Sequence, residues 1–324
     1  MIDVVDERKI RLENWLQSNT PFKDAVLEIA SADASFRRYF RMFEKGNSYI
    51  VMDAPPDREP CEPFIRIGGW MRDAGVRVPE IIEQDIEQGF LILSDFGDRH
   101  YREAIEGKNR KFLYDLAIEE ILKFQLNLGP VASRIPVFDQ AWQSREMEIF
   151  RAWCLPDLSS ELFQDFTRVI VEEVDQIPKG FMHRDFHCRN LLLPEDGKPG
   201  VIDFQGAMLG PVTYDLVSLL RDCYVDNPNE WIEEKVVEYL ENLKKEKILE
   251  ESVDSACFLQ WFDYTGLQRH LKCIGIFHRL KIRDGKSSYL NDIPRVLKYV
   301  ESVLNRHPKL SGVRELVQQA SILR

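Results

Sequence analysis

Two acidic residues and an amide stand close together in one part of the sequence, and their types suit phosphoryl transfer. A polar segment reads His-Arg-Asp-Phe-His-Cys-Arg-Asn over residues 183–190, and Asp203 follows thirteen residues after Asn190. Phosphoryl transfer needs magnesium to neutralise phosphate oxygens and a carboxylate that orients the attacking hydroxyl and accepts its proton. Magnesium prefers oxygen ligands. We therefore predict Asp185 as the base and Asn190 and Asp203 as the metal ligands.

Two lobes of different secondary structure are predicted to position this segment. β-type runs at 26–29, 36–43, 49–52, 79–86 and 90–93 predict five strands, with one helix inserted over 62–73. From residue 101 onward apolar residues recur at helical spacing. That spacing predicts helices over 109–128, 140–153, 158–174, 213–222, 231–247, 253–283 and 293–306. We expect an α+β chain with a small five-stranded antiparallel lobe over residues 1–95 and a larger helical lobe over 96–324.

Composition and net charge limit the classes to which the protein can belong and the kinds of partner that it can bind. The 324 residues are 44% hydrophobic and 30% charged, which is typical of a soluble globular protein. The 43 Lys and Arg against 54 Asp and Glu give a net charge of −11, which disfavours nucleic acid as the main partner. The N-terminus is charged where a signal peptide needs an apolar run. The six cysteines lack zinc-site spacing. We expect a cytoplasmic monomer without a nucleic-acid or membrane partner.

Residues 181–191 resemble the catalytic loop of the aminoglycoside phosphotransferase and choline kinase superfamily, which often has a His where His187 stands. The resemblance implies the bilobal protein-kinase-like fold, a nucleotide-binding first lobe, a catalytic and substrate-binding second lobe, and ATP with Mg²⁺ as cofactors. It also implies that Asp215 supports the catalytic loop from the next helix. His183 is a catalytic candidate, although in this loop type it more often holds the backbone, and both roles stay open.

Four further blocks resemble one group within that superfamily, the bacterial anomeric kinases of N-acetylated amino sugars in peptidoglycan recycling. The blocks are residues 33–41, 51–56, 203–207, and 266–272 continued at 283–286. The resemblance implies ATP-dependent phosphorylation of the anomeric hydroxyl of N-acetylmuramate or N-acetylglucosamine. Two alternatives remain: an aminoglycoside- or choline-type phosphotransferase with another alcohol acceptor, and a nucleotide-binding pseudokinase without activity.

The nucleotide site departs from the protein-kinase pattern. The third strand, residues 49–53, has no Lys to face the phosphates. We expect backbone N–H groups near Ser35 to cradle phosphate, and Arg38 or Arg41 to replace the missing charge because arginine can bind phosphate through two hydrogen bonds. A solvated edge face is the alternative role for these arginines. The adenine is expected to meet the backbone of a hinge between the lobes, formed by Ser94, Asp95 and Phe96.

The sugar pocket is expected in the helical lobe. Sugars combine an apolar face with directional hydroxyls, so an aromatic side chain beside a carboxylate and amides suits them. Trp261 and Asp263 stand at helical spacing in such a combination, and Gln205 follows the second metal ligand closely. Trp261 could equally be a core residue. Arg269 could meet a lactyl carboxylate if the sugar is a muramic acid, or could form a surface ion pair.

Overall fold

The computed structural model describes residues 6–31 and 36–322, and the chain divides into two compact units. The first unit comprises Met1–Arg99 and Leu192–Gln205, and the second comprises His100–Leu191 and Gly206–Arg324. The chain therefore returns once to the first unit, immediately after the polar segment 183–190. The division of functional roles near residue 95 stays a prediction.

A five-stranded antiparallel sheet forms the centre of the first unit, in the order β1-β2-β3-β5-β4. The strands are β1 (Glu28–Ser31), β2 (Arg38–Glu44), β3 (Asn47–Asp53), β4 (Ile81–Asp85) and β5 (Phe90–Ser94). The predicted small antiparallel lobe is confirmed. The first strand lies two residues later in the chain than the apolar run at 26–29 indicated.

Two helices accompany this sheet. In α1 (Glu7–Asn19) the buried residues Leu12, Trp15 and Leu16 recur at the spacing of one helix face. They form one hydrophobic cluster with the sheet residues Phe40, Met42, Val51, Phe90 and Ile92. The second helix, α2 (Glu62–Asp73), has the bounds predicted from the sequence. The apolar periodicity of α1 therefore identifies the face that packs on the sheet.

Helices dominate the second unit. They are α3 (Tyr101–Ala104), α4 (Arg110–Asn127), α5 (Gln140–Cys154), α6 (Ser160–Asp175), α7 (Tyr214–Leu220), α8 (Asn229–Lys245), α9 (Ser255–Asp284), α10 (Ile293–Arg306) and α11 (Ser311–Ile322), with short 3₁₀ helices at Gly129–Arg134, Ser287–Asp292 and Pro308–Leu310. The longest, α9, begins where Asp254 accepts a hydrogen bond from the backbone of Cys257 and ends at Gly285, whose φ is 68°. Within residues 6–31 and 36–322, no helix is both long and apolar enough to cross a bilayer.

The sequence analysis missed one pair of short strands, β6 (Lys179–Met182) and β9 (Met208–Pro211), which pair antiparallel. Between them in the chain lie the two-residue strands β7 (Leu191–Leu192) and β8 (Gly200–Val201), which overlap the brief apolar runs at 191–193 and 201–202. Strands of two to four residues are too short to show an alternating pattern, because alternation needs several repeats to be recognised. The helix α11 was missed as well.

Candidate active site

A buried carboxylate holds the first two residues of the polar segment. Asp215 is 2% exposed and accepts hydrogen bonds from the backbone N–H groups of His183 (2.7 Å) and Arg184 (3.0 Å). Arg184 has a φ of 78°, a conformation that costs an L-residue on the order of 1–3 kcal/mol. Burial raises the pKa of Asp215 to about 7, although the two backbone donors act to lower it. The supporting role expected for Asp215 is therefore confirmed.

The ring of His183 is a packing and positioning element. It is 1% exposed and stacks on Phe124 with ring centroids 6.3 Å apart. Its Nδ1 accepts a hydrogen bond from the backbone N–H of Asp185 at 3.3 Å. These contacts favour the second of the two roles that the sequence left open, because the ring holds the backbone that carries Asp185.

A cavity of about 340 Å³ lies beside Asp185 within the second unit. Its lining includes His187 from the same loop, Glu146 from α5 and one face of α9. Burial by itself acts to raise the pKa of Asp185, but the positive charges of Lys272 and Arg184 hold that pKa below its ordinary value. The carboxylate is therefore ionised at neutral pH, and it borders a space large enough for a small acceptor molecule.

The end of the segment is held by its own backbone and by a second buried carboxylate. The amide nitrogen of Asn190 donates to the backbone oxygen of Asp185 at 2.9 Å. This bond directs the nitrogen inward, so the amide oxygen is the atom suited to a hard cation. Asp222, which is fully buried, accepts a hydrogen bond from the backbone of Cys188 at 2.9 Å. The sequence analysis missed Asp222, although its position seven residues after Asp215 was a usable signal.

An ion-pair network connects the loop to two helices. Glu146 binds the guanidinium of Arg184, and its other oxygen lies 3.2 Å from Nζ of Lys272. Lys272 also donates to the hydroxyl of Tyr214 at 2.9 Å. Burial acts to lower the pKa of Lys272, but Glu146 raises it above its ordinary value. The sequence analysis missed Glu146 and Lys272, and the available signal was a lysine within a long apolar helix.

Asp203 lies in the first unit, in the segment that returns there. Its φ is 64°, and its Oδ1 accepts a hydrogen bond from Nε2 of Gln205 at 2.6 Å. Phe204 is fully buried, with its ring centroid 4.8 Å from that of Phe64 in α2. The buried aromatic ring anchors this turn, so that Asp203 and Gln205 have fixed backbone positions on either side of it.

The two arginines predicted to face phosphate bind carboxylates in the first unit. Arg38 and Arg8 both bind Asp53, which is fully buried, and Nε of Arg38 lies 2.9 Å from its Oδ2. Arg41 binds both oxygens of Asp95, at 2.6 and 3.1 Å. Neither guanidinium lies on a purely solvated edge, and each has an anionic partner that compensates its charge.

The remaining nucleotide-site candidates have local packing roles. Ser94 ends β5, and its Oγ accepts a hydrogen bond from the backbone of Glu80 at 2.9 Å. Phe96 is 9% exposed, and the guanidinium of Arg77 lies 5.2 Å from its ring centroid. Ser35 lies outside the described residues. A role for these residues in nucleotide binding stays a prediction.

Of the predicted sugar-binding residues in α9, the structure brings one to the cavity. Arg269 lines it, with Nη1 3.5 Å from Sγ of Cys223. Trp261 and Asp263 are absent from the cavity lining among the described residues, and Asp263 is fully buried against Arg221, 2.8 Å away. An α-helix turns about 100° per residue, so Asp263 lies about 120° around the helix from Arg269. We therefore propose a structural role for Asp263 in place of the predicted substrate contact.

Comparison with known proteins identifies the class. Residues 26–249 match the phosphotransferase enzyme family (APH), and the chain belongs to this family. The resemblance that the loop residues indicated is thereby confirmed, and the chain is a phosphotransferase.

Two curated relatives match this chain over almost its full length. The chain is 39% identical to an N-acetylmuramate/N-acetylglucosamine kinase of Pseudomonas aeruginosa, over 96% of each chain. It is 38% identical to a kinase of the same name from Neisseria meningitidis serogroup B, over 96% of this chain and 95% of the relative.

Solved structures support the fold. An ethanolamine kinase of Plasmodium vivax aligns with a TM-score of 0.64 at 12% identity, over 93% of this chain and 96% of the other. An ADP-bound aminoglycoside phosphotransferase aligns with a TM-score of 0.58 at 16% identity, over 92% and 98% of the two chains. The expected kinase-like fold is confirmed.

Proposed function

We propose that the chain transfers the γ-phosphoryl group of ATP to the anomeric hydroxyl of an N-acetylated amino sugar, N-acetylmuramate or N-acetylglucosamine. The observation that carries the proposal is the ionised carboxylate of Asp185 at the edge of a cavity of about 340 Å³. The names of relatives that match almost the full length support the choice of acceptor.

Asp185 is the proposed base. Its carboxylate accepts a hydrogen bond from the sugar hydroxyl, which turns a lone pair of the oxygen toward the γ-phosphorus. The sugar oxygen–phosphorus bond then forms while the bond from that phosphorus to ADP breaks, and the hydroxyl proton passes to Asp185. Lys272 and Arg184 stabilise the ionised carboxylate before transfer.

Asn190 and Asp203 are the proposed magnesium ligands. Both present oxygen atoms, and the amide nitrogen of Asn190 is already held by the backbone of Asp185. The donor set therefore fits a hard divalent cation. Magnesium bound there supplies positive charge that neutralises phosphate oxygens.

Arg41 is the better proposed phosphate contact of the two arginines. It binds Asp98 as well as Asp95, and the side chain of Asp98 is 81% exposed. An exposed carboxylate can turn into solvent and leave a guanidinium nitrogen for phosphate. Arg38 has the same arrangement with the buried Asp53 and with Asp6, but the side chain of Asp6 is only 44% exposed and is less able to turn away than that of Asp98. Backbone groups of Ser94, Asp95 and Phe96 remain the proposed adenine contacts.

The acceptor is tested by incubating the protein with magnesium and ATP and either N-acetylglucosamine or N-acetylmuramate. We expect a sugar phosphate whose phosphorus couples to the anomeric proton in NMR spectra. Phosphate at carbon 6, or no product with either sugar, contradicts the proposal. Choline and an aminoglycoside serve as comparison acceptors, and product with these alone supports the alternative phosphotransferase. Failure of every acceptor supports the pseudokinase.

The charge of Lys272 is expected to set the acid limb of the pH–rate profile. In Lys272→Met the pKa of Asp185 rises, because a positive charge that stabilises the carboxylate is lost. A larger fraction of Asp185 is then protonated at a given acidic pH, so kcat/KM falls at higher pH than in the wild type. The profile is measured from about pH 4 to about pH 8.

Two further variants control this prediction. Lys272→Arg keeps the charge and is expected to leave the acid limb near its wild-type position. Lys281→Met removes an exposed charge from the same helix and is expected to change nothing. An unshifted acid limb in Lys272→Met contradicts the role assigned to its charge.

A further inference from the structure

The cavity beside Asp185 carries more positive than negative charge. Its lining contains two carboxylates, Glu146 and Asp185. It also contains four cationic side chains, namely Arg184, Arg269, Lys272 and Arg279. Burial lowers the pKa of His187, which also lines the cavity, so that this ring adds no charge at neutral pH. A neutral sugar leaves this excess uncompensated, whereas an anionic sugar reduces it.

Three of the four cations are committed to contacts within the protein. Arg184 and Lys272 share the carboxylate of Glu146. Arg269 is 2% exposed, and its guanidinium contacts the thiol of Cys223. Their positions are therefore determined by packing and pairing before any ligand arrives.

Arg279 differs from the other three. Within the ranges 6–31 and 36–322 it forms no ion pair and no hydrogen bond, and its Nε is buried without an acceptor. The negative charge of Asp284 acts to raise the pKa of Arg279, but both oxygens of Asp284 bind Arg283, at 2.7 and 2.9 Å. A partly buried guanidinium with open donors is suited to bind an anion.

The position of Arg279 along α9 determines which part of a ligand it can meet. Arg269, Lys272, Ile276 and Arg279 recur at helical spacing on one face of this helix, and all four line the cavity. The first two are almost fully buried, whereas Ile276 and Arg279 are partly exposed. Ten residues of helix separate Arg269 from Arg279, a distance of about 15 Å along the axis. Lys272 and Arg269, at the buried end of this face, act to lower the pKa of Asp185. Because the reacting hydroxyl meets Asp185, Arg279 lies at the opposite end of the cavity from that hydroxyl.

We propose that Arg279 forms a carboxylate subsite that binds the lactyl carboxylate of N-acetylmuramate while the anomeric hydroxyl meets Asp185. The inference rests on the proposed function and assigns the acidic substituent to Arg279 in place of Arg269. A guanidinium binds a carboxylate through two parallel hydrogen bonds, which gives both affinity and direction. N-acetylglucosamine has no such group, so this subsite favours the acidic sugar over the neutral one.

The test compares kcat/KM for the two sugars in wild type and Arg279→Ala. We expect the ratio of N-acetylmuramate to N-acetylglucosamine to fall about 10- to 100-fold, as expected for the loss of a charge-assisted hydrogen bond. Lys281→Ala is the matched control, because this exposed cation lies on the same helix and outside the cavity lining. It is expected to leave the ratio unchanged. Arg279→Lys keeps a charge and should recover part of the preference, which excludes misfolding as the cause.

A second arm removes the charge from the ligand. The methyl ester of N-acetylmuramate should be a poorer substrate than the acid for the wild type, and no poorer than the acid for Arg279→Ala. An unchanged ratio in Arg279→Ala, or an ester as good as the acid for the wild type, overturns the subsite. If the wild type phosphorylates neither sugar, the proposed function itself fails, and this result differs from the other two.

Discussion

We expect Asp185→Asn to lower kcat by about 10²- to 10⁴-fold, the usual contribution of a general base. Asparagine has the same shape but cannot take the proton of the attacking hydroxyl. The contacts that hold residue 185 are made by its backbone, to Nδ1 of His183 and to the amide of Asn190, and these survive the substitution. The loss should therefore fall on kcat and leave nucleotide affinity near its wild-type value.

The measurements are steady-state phosphorylation of N-acetylglucosamine and the calorimetric titration of ADP. Asp165→Asn is the matched control, because Asp165 is an exposed carboxylate of α6 in an ion pair with Arg168. It should behave as the wild type in both assays. If Asp185→Asn keeps more than about a tenth of the wild-type kcat, this residue is not the base.

The second large effect concerns stability. Asp263 is fully buried and contacts three basic side chains from the ends of two helices: Arg221 at 2.8 Å after α7, and Arg306 at 3.3 Å and His307 at 2.7 Å at the end of α10. The side chain of Arg221 is only 4% exposed. Asp263→Ala therefore leaves a buried guanidinium without its counterion. Removal of one partner from a buried ion pair costs about 3–5 kcal/mol in the free energy of unfolding.

For a unit of this size such a loss lowers Tm by roughly 6–20 °C, which thermal unfolding followed by circular dichroism detects. Asp165→Ala, which removes a carboxylate from an exposed pair, should leave Tm nearly unchanged. Below its own Tm the Asp263→Ala protein should keep the wild-type KM for sugar, because this side chain does not line the cavity. A raised KM with an unchanged Tm supports the original prediction of a substrate contact.

The sequence best predicted the bounds of helices in which the apolar pattern repeats over several turns. Helix α2 has the predicted bounds, and α9 was placed within two residues at its start and one at its end. The pair of β6 and β9 was missed, because strands of four residues do not repeat their pattern often enough to be recognised. Strand β6 ends directly before the polar segment 183–190, so an element that the sequence did not predict adjoins the residues whose types were most informative.

The sequence by itself predicted the chemistry of the loop. Asp185, Asn190 and Asp203 lie within nineteen residues, and their types and spacing indicate phosphoryl transfer without reference to any distant element. For Asp215 the supporting role was implied by the resemblance to the phosphotransferase family.

Only the tertiary structure decided which charges surround that loop. Glu146 and Arg184 are 38 positions apart in the chain, and Lys272 reaches the same carboxylate from another helix. Spacing along α9 made Asp263 a substrate candidate and did not single out Arg279. Helix packing buried Asp263 against Arg221 and Arg306 and left Arg279 at the cavity with open donors. Burial and ion pairing depend on which helix faces meet, and no local pattern contains that information.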